Sequence, residues 1–120
     1  MRKTLNLLLV VAMVMSVGPG IAAHDTIRLH FEIYKNGELV AKPAAAVSPN
    51  TTGSVTLDAV GRIAFTPRMR NADSVVISFE IQSGGRLMTP QVAIAGEPAS
   101  LAWTAEAGSD AFKLQVTWIR

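Results

Sequence analysis

The chain has 120 residues, with 11 Lys and Arg, 9 Asp and Glu, and no Cys. That length suits one domain with a single core, and the missing cysteine excludes disulfides, thiolate metal sites and a thiol nucleophile. Arg2 and Lys3 hold the whole excess of positive charge: without them 9 cations face 9 anions, which gives no argument for nucleic acid or an anionic membrane as partner.

Residues 1–22 have the layout of a cleaved secretory signal. Arg2 and Lys3 form a charged start, Leu5 to Val17 is apolar apart from Asn6 and Ser16, and Gly18-Pro19-Gly20 precedes the small residues Ala22 and Ala23. The apolar run is shorter than the roughly 20 residues of a membrane span. The expectation is a mature chain 23–120, a single domain that does not span the membrane, exported to a bacterial periplasm or beyond. Cleavage after Ala22 puts Gly20 and Ala22 at the small-residue positions, and cleavage after Ala23 makes His24 the new terminus.

From Thr26 to Tyr34, Ile27, Leu29, Phe31 and Ile33 alternate with Arg28, His30, Glu32 and Tyr34, the period-two signature of a half-buried strand. Asn36-Gly37 then predicts a type I′ hairpin turn. Glu38 to Val47 reads as the return strand, with Pro43 marking an edge or a bulge. Ser54 to Leu57 and Arg62 to Arg70 are the next two strands. In the second half Val75, Ile77, Phe79 and Ile81 share a face, Gly84-Gly85 turns the chain, and Arg86 to Ala95 returns through Pro90. Ala99 to Ala105 and a last strand with Phe112, Leu114, Val116 and Trp118 on one face complete the set. No segment of the mature chain shows helical periodicity.

The halves echo each other. Phe31, Glu32, Ile33, Gly37 and Leu39 return 48 positions later as Phe79, Glu80, Ile81, Gly85 and Leu87. Pro43 answers Pro90 with a one-residue slip, Val47 answers Ile94, and Phe65 answers Phe112. The expected fold is all-β: about eight antiparallel strands in a β-sandwich or flattened barrel, built from two pseudo-repeated four-stranded halves at about 26–70 and 74–119. Neither half carries enough apolar surface to fold alone, and stacking two such sheets buries both apolar faces.

Thr89 to Trp103, "TPQVAIAGEPASLAW", resembles a strand-turn-strand segment of the secretin domain of bacterial outer-membrane secretion channels, at Pro90, Val92, Gly96, Ala99 and Leu101. The resemblance covers about fifteen residues. It implies a Gram-negative envelope setting and carries no activity with it.

Catalytic patterns are missing from the sequence: no Gly-x-Ser-x-Gly elbow, phosphate-binding loop or dinucleotide fingerprint occurs. The expectation is therefore a non-enzymatic protein without a cofactor. Arg62, Arg68 and Arg70 fall on one face of one strand, a pattern suited either to an acidic protein segment or polyanionic envelope component, or to guarding an exposed sheet edge. Trp103 and Trp118 share the parity of the apolar faces and read as core rather than as sugar platforms. The alternative reading is a periplasmic copper protein in which His24, as N-terminal residue, chelates Cu(II) through its amine and imidazole. His30 would then stand roughly 20 Å away along the same strand at about 3.3 Å per residue, too far to share the ion.

Overall fold

The computed structural model describes residues 26–105, 108 and 110–120; the signal-like residues 1–22 and His24 lie outside them. Ten strands follow in order: β1 (Ile27–Lys35), β2 (Glu38–Ala41), β3 (Ala44–Val47), β4 (Gly53–Leu57), β5 (Gly61–Asn71), β6 (Ser74–Ser83), β7 (Arg86–Met88), β8 (Gln91–Ile94), β9 (Ala99–Thr104) and β10 (Ala111–Ile119). They build two antiparallel five-stranded sheets that do not close into a barrel. In sheet I, β2 and β3 both pair with β1, followed by β10 and β9; in sheet II, β7 and β8 both pair with β6, followed by β5 and β4.

Two prolines account for ten strands where eight were expected. Pro43 and Pro90 each split a return strand, because proline has no N–H to give the ladder. Each still serves the central strand as an acceptor: Phe31 N–H donates to the Pro43 carbonyl at 2.9 Å, and Phe79 N–H to the Pro90 carbonyl at 2.8 Å. The one-residue slip between these prolines also has a cause. A register shift between Ile33 and Tyr34, whose partners are Ala41 and Leu39, leaves Val40 as a bulge. The β6–β7 ladder runs without that shift.

The inward faces form one core. Ile27, Leu29, Phe31 and Ile33 of β1, Leu114 and Val116 of β10, Ile63 and Phe65 of β5, and Val75, Ile77, Phe79 and Ile81 of β6 are all buried. Phe31 meets Phe65 across the two sheets with ring centroids 4.9 Å apart. Trp103 belongs to this core, stacked on Phe112 at 5.6 Å, and its indole N–H donates to Ser83 Oγ at 3.0 Å. That bond satisfies two buried polar groups at once. Trp118 is only half-buried, with the Arg120 guanidinium 4.5 Å from its ring.

Both hairpin turns are of type I′, with positive φ at Asn36 (53°) and Gly37 (86°) and at Gly84 (61°) and Gly85 (82°). Their first residues differ for a packing reason. Asn36 Oδ1 accepts from the Ala111 N–H at 2.8 Å, tying the first turn to β10. At Gly84 a Cβ would lie 2.7 Å from Ala105 Cα, so only glycine fits.

The halves do not each form a sheet. The first contributes β1, β2 and β3 to sheet I and β4 and β5 to sheet II; the second contributes β6, β7 and β8 to sheet II and β9 and β10 to sheet I. Register also replaces one expected match. Phe65 faces Phe79 across β5–β6, and the equivalent partner of Phe31 across β1–β10 is Val116, not Phe112. Phe112 lies nearer the β9–β10 loop, which is longer than the β4–β5 loop and displaces the sequence match.

The repeated residues should therefore respond to mutation according to face, not identity. Phe31→Ala and Phe79→Ala should each destabilise by about 3–5 kcal/mol. Leu39 and Leu87 are 46% and 60% exposed, so Leu39→Ser and Leu87→Ser should change stability by less than about 0.5 kcal/mol. Denaturant unfolding of the four variants checks this; a costly Leu87→Ser would show that β7 buries the face assigned here to solvent.

Candidate functional site

The outer face of sheet II carries the three arginines singled out in the sequence, but β5 is not an edge. It lies between β4, which pairs with it from Gly61 to Phe65, and β6, which pairs with it from Arg62 to Asn71. Edge protection survives only past the end of β4. There Pro67 offers no N–H, and its carbonyl accepts the Asn50 N–H at 2.7 Å.

Cross-strand register assigns each arginine its neighbours. Arg62 stands between Thr56 of β4 and Gln82 of β6. Arg68 faces Val76 of β6, which in turn faces Ala93 of β8. Arg70 lies at a register shift between Met69 and Asn71, a bulge of the kind that re-aims a side chain. Arg62 and Arg68 are six residues apart, roughly 20 Å along the strand, whereas Arg68 and Arg70 are two residues apart, roughly 7 Å between Cα atoms, and line one groove. The structure thus joins Arg68 with Arg70 and leaves Arg62 apart.

Arg68 and Arg70 border a shallow groove of about 330 Å³, completed by Val76, Gln91, Val92 and Ala93. Val76 points outward by parity yet is only 8% exposed; long side chains that lay their stems over apolar surface keep such a residue dry. On the far wall Gln91 Nε2 donates to Ser78 Oγ at 3.1 Å, fixing the amide. Among the described residues no hydrogen bond or ion pair engages the guanidinium groups of Arg62, Arg68 or Arg70; the described ion pairs are Lys35–Asp110 and Arg120–Asp73. Glu80, on the same outer face, stands opposite Ala64, four residues along the strand from Arg68. The groove is cationic on one side, apolar at its floor and amide-lined on the other side.

Val76, Gln91 and Ala93 were not among the sequence candidates. Their strand periodicity marks them as outward, but nothing in the sequence aligns them with Arg68, since β8 reaches this face only through its pairing with β6.

Sheet I presents different chemistry. His30 is exposed on its outer face between Ala44 and Thr117, and among the described residues no group of three or more His, Cys, Asp or Glu could hold a metal ion. Tyr34 Oη donates to Glu32 Oε1 at 2.7 Å, and Lys113 Nζ stands 5.6 Å from the tyrosine ring. The segment resembling a secretin strand-turn-strand is not a hairpin: Val92 is in β8 of sheet II, whereas Ala99 and Leu101 are in β9 of sheet I. Comparison with family models, curated proteins and solved structures finds no match for this chain.

The Tyr34–Glu32 contact has a titration signature. The hydrogen bond to Glu32 raises the phenol pKa above its usual 10.0, with desolvation and the Glu32 charge adding in the same direction. The raised value favours the folded state below the unfolded pKa, and that contribution is lost as pH climbs through the folded pKa. Tyr34 is the only tyrosine, so ultraviolet titration reads it directly. The midpoint should lie above that of the unfolded chain and fall toward it in Glu32→Gln; an unchanged midpoint would show the contact absent in solution.

Proposed function

We propose that this is a small exported, non-enzymatic protein of the bacterial envelope that binds an acidic segment of another protein or envelope component through the Arg68–Arg70 groove. The observation that carries the reading is the pair of guanidinium groups of Arg68 and Arg70, which among the described residues have no counter-charge, beside an apolar floor. Two like charges lining one groove repel, and an anionic group entering the groove relieves that repulsion. A carboxylate receives bidentate bonds from arginine, while Val76 and Ala93 offer apolar contact to the neighbouring part of the ligand. Backbone ladders on both sides hold β6 in place, so much of the binding geometry is set before the ligand arrives. Export rests on the signal-like residues 1–22.

In-cell crosslinking followed by mass spectrometry tests both parts. Wild-type protein should begin at Ala23 or His24 and recover an acidic partner. Arg68→Gln with Arg70→Gln should cut recovery roughly tenfold at low salt, through loss of electrostatic steering, and Arg62→Gln should not. Undiminished recovery by the double variant would overturn the groove reading, and an intact Met1 would overturn export.

A further inference from the structure

The two longest ladders in the molecule, β1–β10 and β5–β6, both join one half to the other, over eight and nine residue pairs. Ladders within a half are shorter. Each half also bridges the sheets by itself, through Phe31–Phe65 in the first and Trp103–Ser83 in the second. The halves are therefore arranged like two subunits of an isologous dimer, with the β5–β6 turn as their covalent link. We infer that this seam fits a second copy of the chain, and that the Ala72–Asp73 turn is the hinge through which two copies can exchange halves.

The hinge residues carry the argument. Asn71 Oδ1 accepts from the Asp73 N–H at 2.8 Å and from Ser74 Oγ at 3.2 Å, closing the turn locally. Arg120, beyond the end of β10, donates through Nη2 to the Ala72 carbonyl at 3.2 Å and to Asp73 Oδ1 at 3.1 Å. These bonds secure the closed form at the point an exchange must open. The register allows the open form as well. Asn71 pairs with Ser74, so with Asp73 removed Ala72 of one chain falls opposite Ala72 of the other, an Asn71–Ser74 pair follows on each side, and strand alternation keeps both inward faces on the same side of the sheet. β5 and β6 of each chain then run as one long strand, and the two long strands pair antiparallel with no gap. Exchange of identical elements needs no new interface, because every contact of the seam is made again in trans.

The test deletes Asp73 in the full chain, in a background carrying Thr66→Cys and Ser78→Cys. These positions face each other across β5–β6, close enough for a disulfide, and the chain has no other cysteine. With the turn intact, oxidation should close the bridge within one chain. With Asp73 deleted, light scattering should give twice the chain mass, circular dichroism should remain that of β-sheet, and the disulfide should join two chains on a non-reducing gel. Asp73→Pro, which keeps the length but removes the Asp73 N–H donor and disfavours the turn, should give a dimer fraction that rises with concentration. A deleted chain that is a folded monomer, a dimer whose disulfide stays within each chain, or a chain unfolded at every concentration would each overturn the inference.

Discussion

Everything else in this fold depends on the pairing of one half's first strand with the other half's last. β1 with β10, and β6 with β5, form the centre of each sheet and supply most of the large buried side chains. With no disulfide available, stability comes from burying these inward faces. The return strands outside them, β2 with β3 and β7 with β8, are short and proline-split. Each depends on a single central strand for its hydrogen bonds, and a two-stranded hairpin is marginal in water. The seam between halves is therefore the core of the protein and not a boundary within it.

That arrangement leaves the outer faces outside the core. The inward side chains of β5 and β6 hold the sheet; apart from the buried Ala64, Ser74 and Val76 the outward ones carry little packing duty, and surface charges of this kind contribute little to folding. The two sheets use the freedom differently. On sheet I, Glu32 is engaged by Tyr34. On sheet II the corresponding pair is Glu80 and Gln82; Arg62 faces Gln82, and Arg68 and Arg70 lie farther along β5. The bulge at Arg70 marks the place where the strand ladder gives way to the β5–β6 turn. The groove thus lies beside the proposed hinge, so a bound anion and the closed turn would occupy neighbouring parts of the same strand.

Local features were legible in the sequence and long-range ones were not. Every inward apolar residue of β1 and β6 follows from alternation, because a strand with one dry face must repeat every second residue; the buried Ser83 was not legible, because a serine beside a turn reads as exposed. Asn36-Gly37 and Gly84-Gly85 were legible as turns because few other residues accept positive φ twice in succession. Sheet partnership leaves no such mark. Leu114 reads as buried whether β10 pairs with β1 or with β9, so the sequence could not reveal that the halves cross between sheets. The match of Phe65 with Phe112 misled because both are inward aromatic residues on equivalent strands, and only the longer β9–β10 loop separates their registers. Among the site residues, Arg62, Arg68 and Arg70 were legible as one face. Their division into a pair and an outlier, with Val76, Gln91 and Ala93 beside the pair, required the register of β6 and β8.

The claim that the halves form one interlocked unit is tested most directly by native-state hydrogen exchange at the two seams. Phe31 and Phe79 direct their N–H groups to the proline-split strands, so the next amides, of Glu32 and Glu80, point to β10 and β5, where they face Gln115 and Ala64. The account predicts that all four amides exchange only through global unfolding, with one common free energy and one denaturant dependence. Exchange of Glu32 and Gln115 at a clearly lower free energy than Ala64 and Glu80, or the reverse, would mean that one sheet opens while the other stays folded, and would contradict it.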